Sequence, residues 1–375
     1  MKWFRFLTKR FFIVVHLLVV ALFLLACLVP YVNAAYFWPI SFLGLAFPFL
    51  LGILLLFILF WIIFDLKYTL LSLVALFMGW QSIAVLVAFR LPGAGSADSS
   101  VADPITVLSY NVNYFKDFSK GTTGKENRQL RADMLDLMEE QHPDIACLQE
   151  FYTSEDPHDF NNREAISARM KLPYRYFSSD HNFQNNHSGV IIFSRYPILH
   201  ARKVKLLESS NSESVVYADV VRGSDTLRVF TMHLQSVYLS HEDRQRIEQL
   251  KRQDTSLAAS RPILEKLSRA FLKRQQQART VAEEIAKSPY PVILCGDFND
   301  TPNSYAYFKI RGKLQDAFLK KGWGIGPTYA YISPTLRIDY IFADARFRVE
   351  AFHRVPRRLS DHYPIVTQLS LEKKK

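Results

Sequence analysis

The sequence predicts an α/β domain carried behind a membrane-spanning segment, and three observations predict it. Long uncharged apolar runs are confined to the first 90 of the 375 residues. From Ile105 onward, short apolar strand-like runs alternate with stretches of helical periodicity, the pattern of an α/β domain. One strand after another also ends in Asp, Glu, Asn or His, at the kind of edge where ligand sites are built.

Phe11 to Pro30 is an apolar run of about the length that crosses a bilayer. Tyr36 to Phe64 is a second, with Pro39 and Pro48 as sites of kinking, and Thr69 to Phe89 a third, ending at Arg90. Trp38, Trp61 and Trp80 sit at or near segment ends, as interfacial aromatics do. The expectation is a transmembrane region over residues 1–90 with three helices at about 11–30, 36–64 and 69–89. Lys2, Arg5, Lys9 and Arg10 before an apolar run, with Val32-Asn33-Ala34 after it, also resemble a cleavable signal peptide. Leu24-Leu25-Ala26-Cys27 faintly resembles a lipoprotein processing site. The run is long for a signal and two more follow it, so three spans are expected.

Four basic residues precede the first span, none lies between the first and second, and Lys67 alone lies between the second and third. The positive-inside rule then puts the amino terminus in the cytoplasm and everything after Arg90 on the far side, with Arg90 itself weighing the other way. A multi-pass protein of the plasma (inner) membrane with an extracytoplasmic, periplasmic domain is expected.

Of 46 Lys and Arg and 35 Asp and Glu, residues 1–90 hold six and one, leaving 40 and 34 beyond them. That net +6 suits an anionic substrate or surface, but is too weak to argue for nucleic-acid binding by itself. Three cysteines make no disulfide framework; Cys147 and Cys295 fall in strand-like runs, as small hydrophobes do. Residues 91–103, rich in Gly, Ser and Ala, read as a tether, which leaves residues 104–375 for the second domain.

In that domain Ile105 to Asn111 is a β-type run ending in an amide. Leu130, Met134, Leu137 and Met138 recur at helical spacing between Lys125 and Gln141, and His142-Pro143 stops that helix. Asp144 to Glu150 is a buried strand ending in a carboxylate, and His187 to Arg195 another, closed by Tyr196-Pro197. Val215 to Val221 and Thr226 to Leu234 form a hairpin whose second arm delivers His233. Residues 241–287 are helical, divided by Pro262, and their mixture of charges reads as a solvated face. Ile338 to Phe342 and Pro364 to Leu369 supply the last strands.

The stretch around which these elements are organised is Pro289 to Asp300. Val292 to Cys295 is a fully apolar run bounded by Pro and Gly, as in a strand covered on both faces. Gly296 permits a sharp turn, and Asp297, Asn299 and Asp300 follow at once. Asp and Asn favour turns in any case, yet two carboxylates and an amide at the lip of a core strand are costly without a positive partner. Asn111, Glu150, His233, Asp297 with Asn299, Asp339, and Asp361 with His362 all lie at or just beyond strand ends, where they can converge on one sheet edge.

Ser109-Tyr110-Asn111, Leu148-Gln149-Glu150, Ser188-Gly189 with Phe193-Ser194-Arg195, His233-Leu234, Gly296-Asp297-Phe298-Asn299, Arg337-Ile338-Asp339-Tyr340-Ile341 and Ser360-Asp361-His362-Tyr363-Pro364 occur in this order. Together they resemble the endonuclease/exonuclease/phosphatase superfamily, the DNase I-like fold, in a membrane-anchored bacterial-type member. The resemblance runs from about Ile105 to Leu369. It implies a four-layered α/β sandwich and Mg²⁺-assisted hydrolysis of a phosphoester, with Mn²⁺ able to substitute and no organic cofactor. Carried over by motif, Glu150 is the principal metal ligand, with Asn111 and Asp361 on the metal or its waters. His362 is the general base and Asp339 holds its tautomer. Asp297 orients the attacking water, while Asn299 and His233 donate to phosphoryl oxygens, His233 in its protonated form. Ser188, Arg195, Thr328 and Arg337 also match family positions and are read as structural.

Elementary chemistry agrees with these roles. Phosphoryl transfer needs positioning and charge neutralisation more than covalent chemistry. Mg²⁺ takes oxygen ligands and keeps several waters, so one or two carboxylates and an amide suffice. Taken alone, His233 reads as a core histidine and Asp339 as a turn cap; the ordered set is what argues for catalysis. His233-Leu234-Gln235 resembles the sphingomyelinase and DNase I branches, and the tyrosine-bearing segment of the abasic-site endonuclease branch has no clear match. The leading expectation is a membrane-anchored, Mg²⁺-dependent phosphoesterase acting on a phospholipid or lipid-linked head group, kept near the bilayer by its tether. The alternative is an extracytoplasmic metal-dependent nuclease acting on nucleic acid. An inactive membrane scaffold is third.

Overall fold

The structure, a computed structural model, describes residues 2–89, 104–116, 124–207, 214–237, 261–331 and 333–372. The expected tether (residues 91–103) and the first part of the expected helical insertion lie outside the described residues.

The amino-terminal region folds as α1 (Lys2–Cys27), a short α2 (Ala34–Phe37), α3 (Ser41–Phe64), α4 (Thr69–Met78) and α5 (Trp80–Leu86). Two stretches, Thr8–Tyr31 and Ala34–Phe64, are long and apolar enough to cross a membrane. The third expected span is built from two helices, which pass as one span only if taken together. It bends by 70° at Gly79, between α4 and α5. A Cβ on Gly79 would lie 2.6 Å from the Phe23 ring and 2.9 Å from Cys27 Sγ. Glycine therefore lets the chain press against α1 at the position where it most weakens the helix. Inside the bundle, Trp61 Nε1 donates to His16 Nδ1 (2.9 Å), and His16 Nε2 lies 2.7 Å from Ser72 Oγ. At one end Lys9 pairs with Asp65 at 2.7 Å; the other end meets the α/β domain.

That domain runs β1 (Ile105–Asn111), α6 (Gly124–Glu140), β2 (Ile145–Ser154), α7 (Asn162–Arg169), β3 (Tyr174–Phe177), β4 (His181–Phe183), β5 (Asn186–Ser194), β6 (Ile198–Lys205) and β7 (Ser214–Arg222). It continues with β8 (Asp225–His233), α8 (Arg261–Ala286), β9 (Val292–Asp297), α9 (Tyr305–Arg311), β10 (Gln315–Asp316), α10 (Ala317–Lys321), β11 (Asp339–Ala343), β12 (Phe347–Arg354) and β13 (Ile365–Leu371). One sheet has the order β12-β13-β1-β2-β5-β3 with β4 paired to β5, and the other β10-β11-β9-β8-β7-β6. Both are mixed, because β1–β2 and β8–β9 are parallel and their other pairs antiparallel.

The period-2 alternation of the strands separates three apolar layers. Val107, Ile145, Cys147 and Ile192 of the first sheet meet Val216, Val229, Ile293, Cys295 and Ile341 of the second. On the outer face of the first sheet Leu108, Leu148 and Phe193 receive Met134, Leu137 and Met138 of α6. On the outer face of the second, Phe230, Leu294 and Phe342 receive Ala278 and Val281 of α8 and Tyr307 of α9. Helices, sheet, sheet, helices: this is the expected four-layered sandwich. Strands β3, β4, β6, β10 and β12 escape sequence reading because they are short or lie at or near sheet edges, where solvated charges interrupt the apolar run.

In its described part the helical insertion carries most of its charges on a solvated face, as the sequence suggested, but its other face is buried. Pro262 lies in the first described turn of α8. The helix buries Ile263, Ala270, Phe271, Arg274, Gln275, Gln277, Ala278 and Val281. The amino-terminal bundle is also docked directly on the α/β domain. Gln275 Oε1 accepts from Ala34 N (2.7 Å) and its Nε2 donates to Val32 O (3.3 Å). Asn303 Nδ2 donates to Ala26 O at 2.9 Å, and Arg337 Nη2 donates to Val85 O. Ala88 and Gly324 exchange backbone hydrogen bonds of 2.8 and 2.9 Å. The close approach of α3 requires Gly44, whose added Cβ would stand 2.7 Å from the Asn303 carbonyl oxygen.

Candidate active site

Strand register assembles half of the site. In the ladder of the second sheet His233 of β8 pairs with Asp297 of β9, which pairs with Asp339 of β11. Paired residues share a face, here the inter-sheet face that also carries Cys295 and Ile341. Asp339 accepts from His362 Nδ1 at 2.9 and 3.1 Å. His362 Nε2 and His233 Nε2 each lie 3.5 Å from Asp297 Oδ2. The ring of Tyr329 packs edge-on against His362, centroids 5.1 Å apart.

The first sheet supplies Asn111 and Glu150. Asn111 Nδ2 donates to Asp297 Oδ2 (3.1 Å) and to Glu150 Oε1 (3.2 Å), while its Oδ1 accepts from Asn113 N (3.0 Å). The amide thus faces the carboxylates with its nitrogen, and its oxygen is engaged by the chain. Glu150 does not end its strand, as the sequence suggested. Strand β2 runs on to Ser154, with a register break between Leu148 and Phe151. Cys147 faces the inter-sheet core, and Leu148 and Phe151 face α6 and α7. Plain alternation would send Glu150 outward with Leu148; the bulge, at a φ of 49°, turns it back toward Asn111 and Asp297.

Asn299 also has positive φ (51°), and Asn113, Tyr114 and Phe115 form a run of three. Non-glycine residues held there cluster at functional sites, and these flank the same cavity. Asn299 N donates to Asp297 Oδ1 (2.7 Å) and its Nδ2 to Leu234 O (3.0 Å), so one of its two amide N–H groups is already engaged. Glu150, Asp297, Asn299, Asp361 and His362 line one cavity of about 680 Å³. All eight sequence-predicted site residues thus meet at one edge of the two sheets. The four residues read as structural have structural surroundings. Thr328 Oγ1 accepts from the backbone of Ile338 and Asp339 (3.0 and 3.1 Å). Arg337 is buried against Asp316 at 3.0 Å, Arg195 pairs with Asp144 at 3.1 Å, and Ser188 pairs in the strand ladder.

The cluster is short of positive charge. Burial, and then Asp361, push the Glu150 carboxyl up to about 7, against the hydrogen bond from Asn111. Burial likewise raises Asp297. Burial opposes the charged form of His362, but Asp339, Asp297 and Asp361 outweigh it and hold that imidazole well above its ordinary value. His233 goes the other way: burial lowers it to about 4, so the expectation of a protonated His233 gives way to a neutral ring near pH 7. The donor set fits a hard divalent cation, since buried carboxylates crowded against one another are stabilised by an ion that takes oxygen ligands. Asp297, Asp339 and His362 also lie close enough to hold an ion, their candidate ligand atoms all within 4.8 Å. Both oxygens of Asp339 are nevertheless occupied by His362 Nδ1. Asp339 and His362 thus form a hydrogen-bonded acid–base pair.

Sequence reasoning missed the wall opposite this cluster. Arg274 of α8 is buried, with Nε 3.2 Å from Asp300 Oδ2 and Nη1 donating to Gln235 O at 3.0 Å. It lines the cavity with Tyr114, Tyr329, Phe271, Leu267 and Ile263, and with Leu45 and Phe49 of the apolar helix α3. The signal was present, because Ile263, Leu267, Phe271 and Arg274 recur on one helical stripe.

A family model described as the Endonuclease/Exonuclease/phosphatase family matches residues 108–362. A second, described as a Domain of unknown function (DUF8431), matches residues 9–86. No curated protein matches significantly. Among solved structures, an endonuclease/exonuclease/phosphatase from Beutenbergia cavernae is 20% identical, with 72% of each chain covered and a TM-score of 0.51. One from Bacteroides vulgatus is 20% identical over 72% of this chain and 100% of its own, with a TM-score of 0.50. The human Nocturnin catalytic domain, with a bound sulfate anion, is 17% identical over 72% and 94%, TM-score 0.50. These likenesses carry the fold.

The raised Glu150 makes stability depend on pH. A carboxyl whose folded value is about 7 against an ordinary 4.5 contributes stability that is complete below 4.5 and lost as pH rises through 7. The lowered His233 contributes in the opposite sense, between about 4 and 6.5. Comparison with Glu150→Gln isolates the first effect. In EDTA and detergent, the variant should gain on the wild-type chain between pH 4.5 and 7 by on the order of 3 kcal/mol, at about 1.4 kcal/mol per pH unit. Thermal unfolding across that range measures it. A difference independent of pH would mean that Glu150 is not held protonated by its surroundings.

Proposed function

The chain belongs to the Endonuclease/Exonuclease/phosphatase family, whose members are phosphoester hydrolases, and from that premise we propose that it hydrolyses a phospholipid or lipid-linked phosphoester at the membrane face. The observation that carries the substrate reading is the shared cavity. Glu150, Asp297 and His362 line it together with Leu45 and Phe49 of a helix long and apolar enough to cross a membrane.

Metal dependence is a property of the family. Mg²⁺ is the ion proposed, with Mn²⁺ as substitute, and Glu150 and Asp361 would hold it. Bound there, such an ion supplies charge neutralisation at the phosphoryl oxygens and lowers the barrier to attack. The remaining work falls to the chain. Asp339 engages His362 Nδ1; with the neighbouring carboxylates neutralised by such an ion the ring would no longer be held protonated, and Nε2 is the atom left to take the proton from an attacking water. Asp297 Oδ2, 3.5 Å from that nitrogen, orients the same water. The water oxygen bonds to phosphorus, the ester P–O bond opposite breaks, and the proton returned by His362 neutralises the leaving alkoxide. Neutral His233 and the second amide N–H of Asn299 donate to the phosphoryl oxygens. Asn111 holds Glu150 and Asp297 apart and in place through its two hydrogen bonds.

The expected outcome is EDTA-sensitive hydrolysis of bis(p-nitrophenyl) phosphate by the full chain in detergent, restored by Mg²⁺ or Mn²⁺. Glu150→Gln and His362→Ala should each lower kcat by roughly 10²–10⁴-fold, the range for loss of a general base or comparable group. Full activity in both variants would dismantle the site assignment. Hydrolysis of DNA or RNA with no lipid product would favour the nuclease reading.

The catalytic unit is proposed to lie outside the cytoplasm, on the strength of Lys2, Arg5, Lys9 and Arg10 before the first span. A reporter that works only in oxidising compartments, fused after Lys375, should be active. Activity solely of a cytoplasmic reporter would invert the orientation.

A further inference from the structure

We infer that membrane helix α3 and helix α8 together form a binding wall for the hydrocarbon part of the substrate, so that the transmembrane region belongs to the substrate site and is more than an anchor. This rests on the phosphoesterase reading above and narrows it to a substrate carrying a long apolar chain.

Three observations meet here. The cavity that holds the polar cluster is continuous with an apolar side lined by Leu45, Phe49, Ile263, Leu267 and Phe271. On α8 those side chains form a stripe that ends at Arg274, the buried cation where apolar wall gives way to Asp297 and Asn299. The wall is also held in one piece. Phe42 of α3 packs edge-on against Phe271 of α8 at 5.4 Å, and Gln275, one residue past Arg274, hydrogen-bonds the chain between α1 and α3. Phe49 remains 54% exposed. Nothing in the hydrolysis of a small soluble diester calls for such a wall. A long alkyl or acyl chain accounts for it, because its head would reach Glu150 and His362 while its tail stayed against a helix that already lies in lipid. A nucleic acid would meet apolar side chains where its backbone needs cations.

The test uses the full chain in nanodiscs with Mg²⁺ and four phosphodiesters: a diacyl phospholipid, a polyprenyl-linked phosphodiester, a dihexanoyl phospholipid below its micellar concentration, and bis(p-nitrophenyl) phosphate. One of the long-chain lipids should exceed the dihexanoyl compound at least tenfold in kcat/KM, and which one does so identifies the chain type. Leu45→Asn and Leu267→Asn should cost that lipid roughly tenfold more than they cost bis(p-nitrophenyl) phosphate, a tenfold change being about 1.4 kcal/mol, or two methylenes of lost burial. Leu264→Asn, on the exposed side of α8, should move neither rate. Equal rates on long and short chains, or an unchanged ratio in both wall variants, would overturn the inference. If no diester at all is cleaved, the phosphodiesterase reading fails on its own. The wall is then judged by photolabelling with a diazirine-bearing acyl chain: label on residues 263–271 supports it, and none there overturns it.

Discussion

The site depends on strand register. His233, Asp297 and Asp339 stand side by side because β8, β9 and β11 pair at those residues. A one-residue slip in either pairing would send one of them to the face that packs on α8 and α9. Register is in turn fixed by the apolar residues two and four positions earlier, such as Ile293 and Cys295 on β9, which have no other place to be buried than between the sheets. The same burial that secures the fold therefore delivers carboxylates into a region of low dielectric, where they are costly without a positive partner. Crowded, raised carboxyl groups and a histidine bound to a carboxylate are the result, and they are what makes the edge chemically able.

Strand ends alone do not complete it. Glu150 reaches the cluster only through a bulge with a positive backbone angle, and Asn299 and the Asn113–Phe115 turn also hold positive angles. These are the places where local preference is overridden by surrounding structure, and all of them border the same cavity. The amino-terminal helical bundle belongs to that surrounding structure. Asn303, close after Asn299 in sequence, is bonded to Ala26, and Arg337, two residues before Asp339, is bonded to Val85. The loops that carry the polar side chains are thus braced against the amino-terminal apolar helices.

Much of this was legible in the sequence because it is written in alternation and composition. The core strands are continuous apolar runs, each with a polar residue at its tip, and the eight motif residues named from those tips occupy one site. What was not legible has physical causes. The outward-to-inward turn of Glu150 depends on a bulge, and strict alternation would have misplaced it. The bend at Gly79 depends on the ring of Phe23, far away in sequence. Helix α8 looked solvated because Arg, Gln and Glu dominate its composition. Yet Arg274 and Gln275 are buried, satisfied by Asp300, by Gln235 and by the backbone of the membrane region. Charge counts say where charges are, and partners decide which of them can be buried.

The central claim is that the site holds one divalent cation through Glu150 and Asp361, both carried by the first sheet and its connections. Binding of Mn²⁺ to the full chain in detergent, followed by electron paramagnetic resonance, tests it without reference to any substrate. The account expects a saturable site in the wild-type chain, lost in Glu150→Gln and in Asp361→Asn, and kept with little change in affinity in Asp339→Asn. Retention of Mn²⁺ by the first two variants, with loss in Asp339→Asn, would move the ion to the Asp297–Asp339–His362 group and contradict the assignment of His362 as a free base.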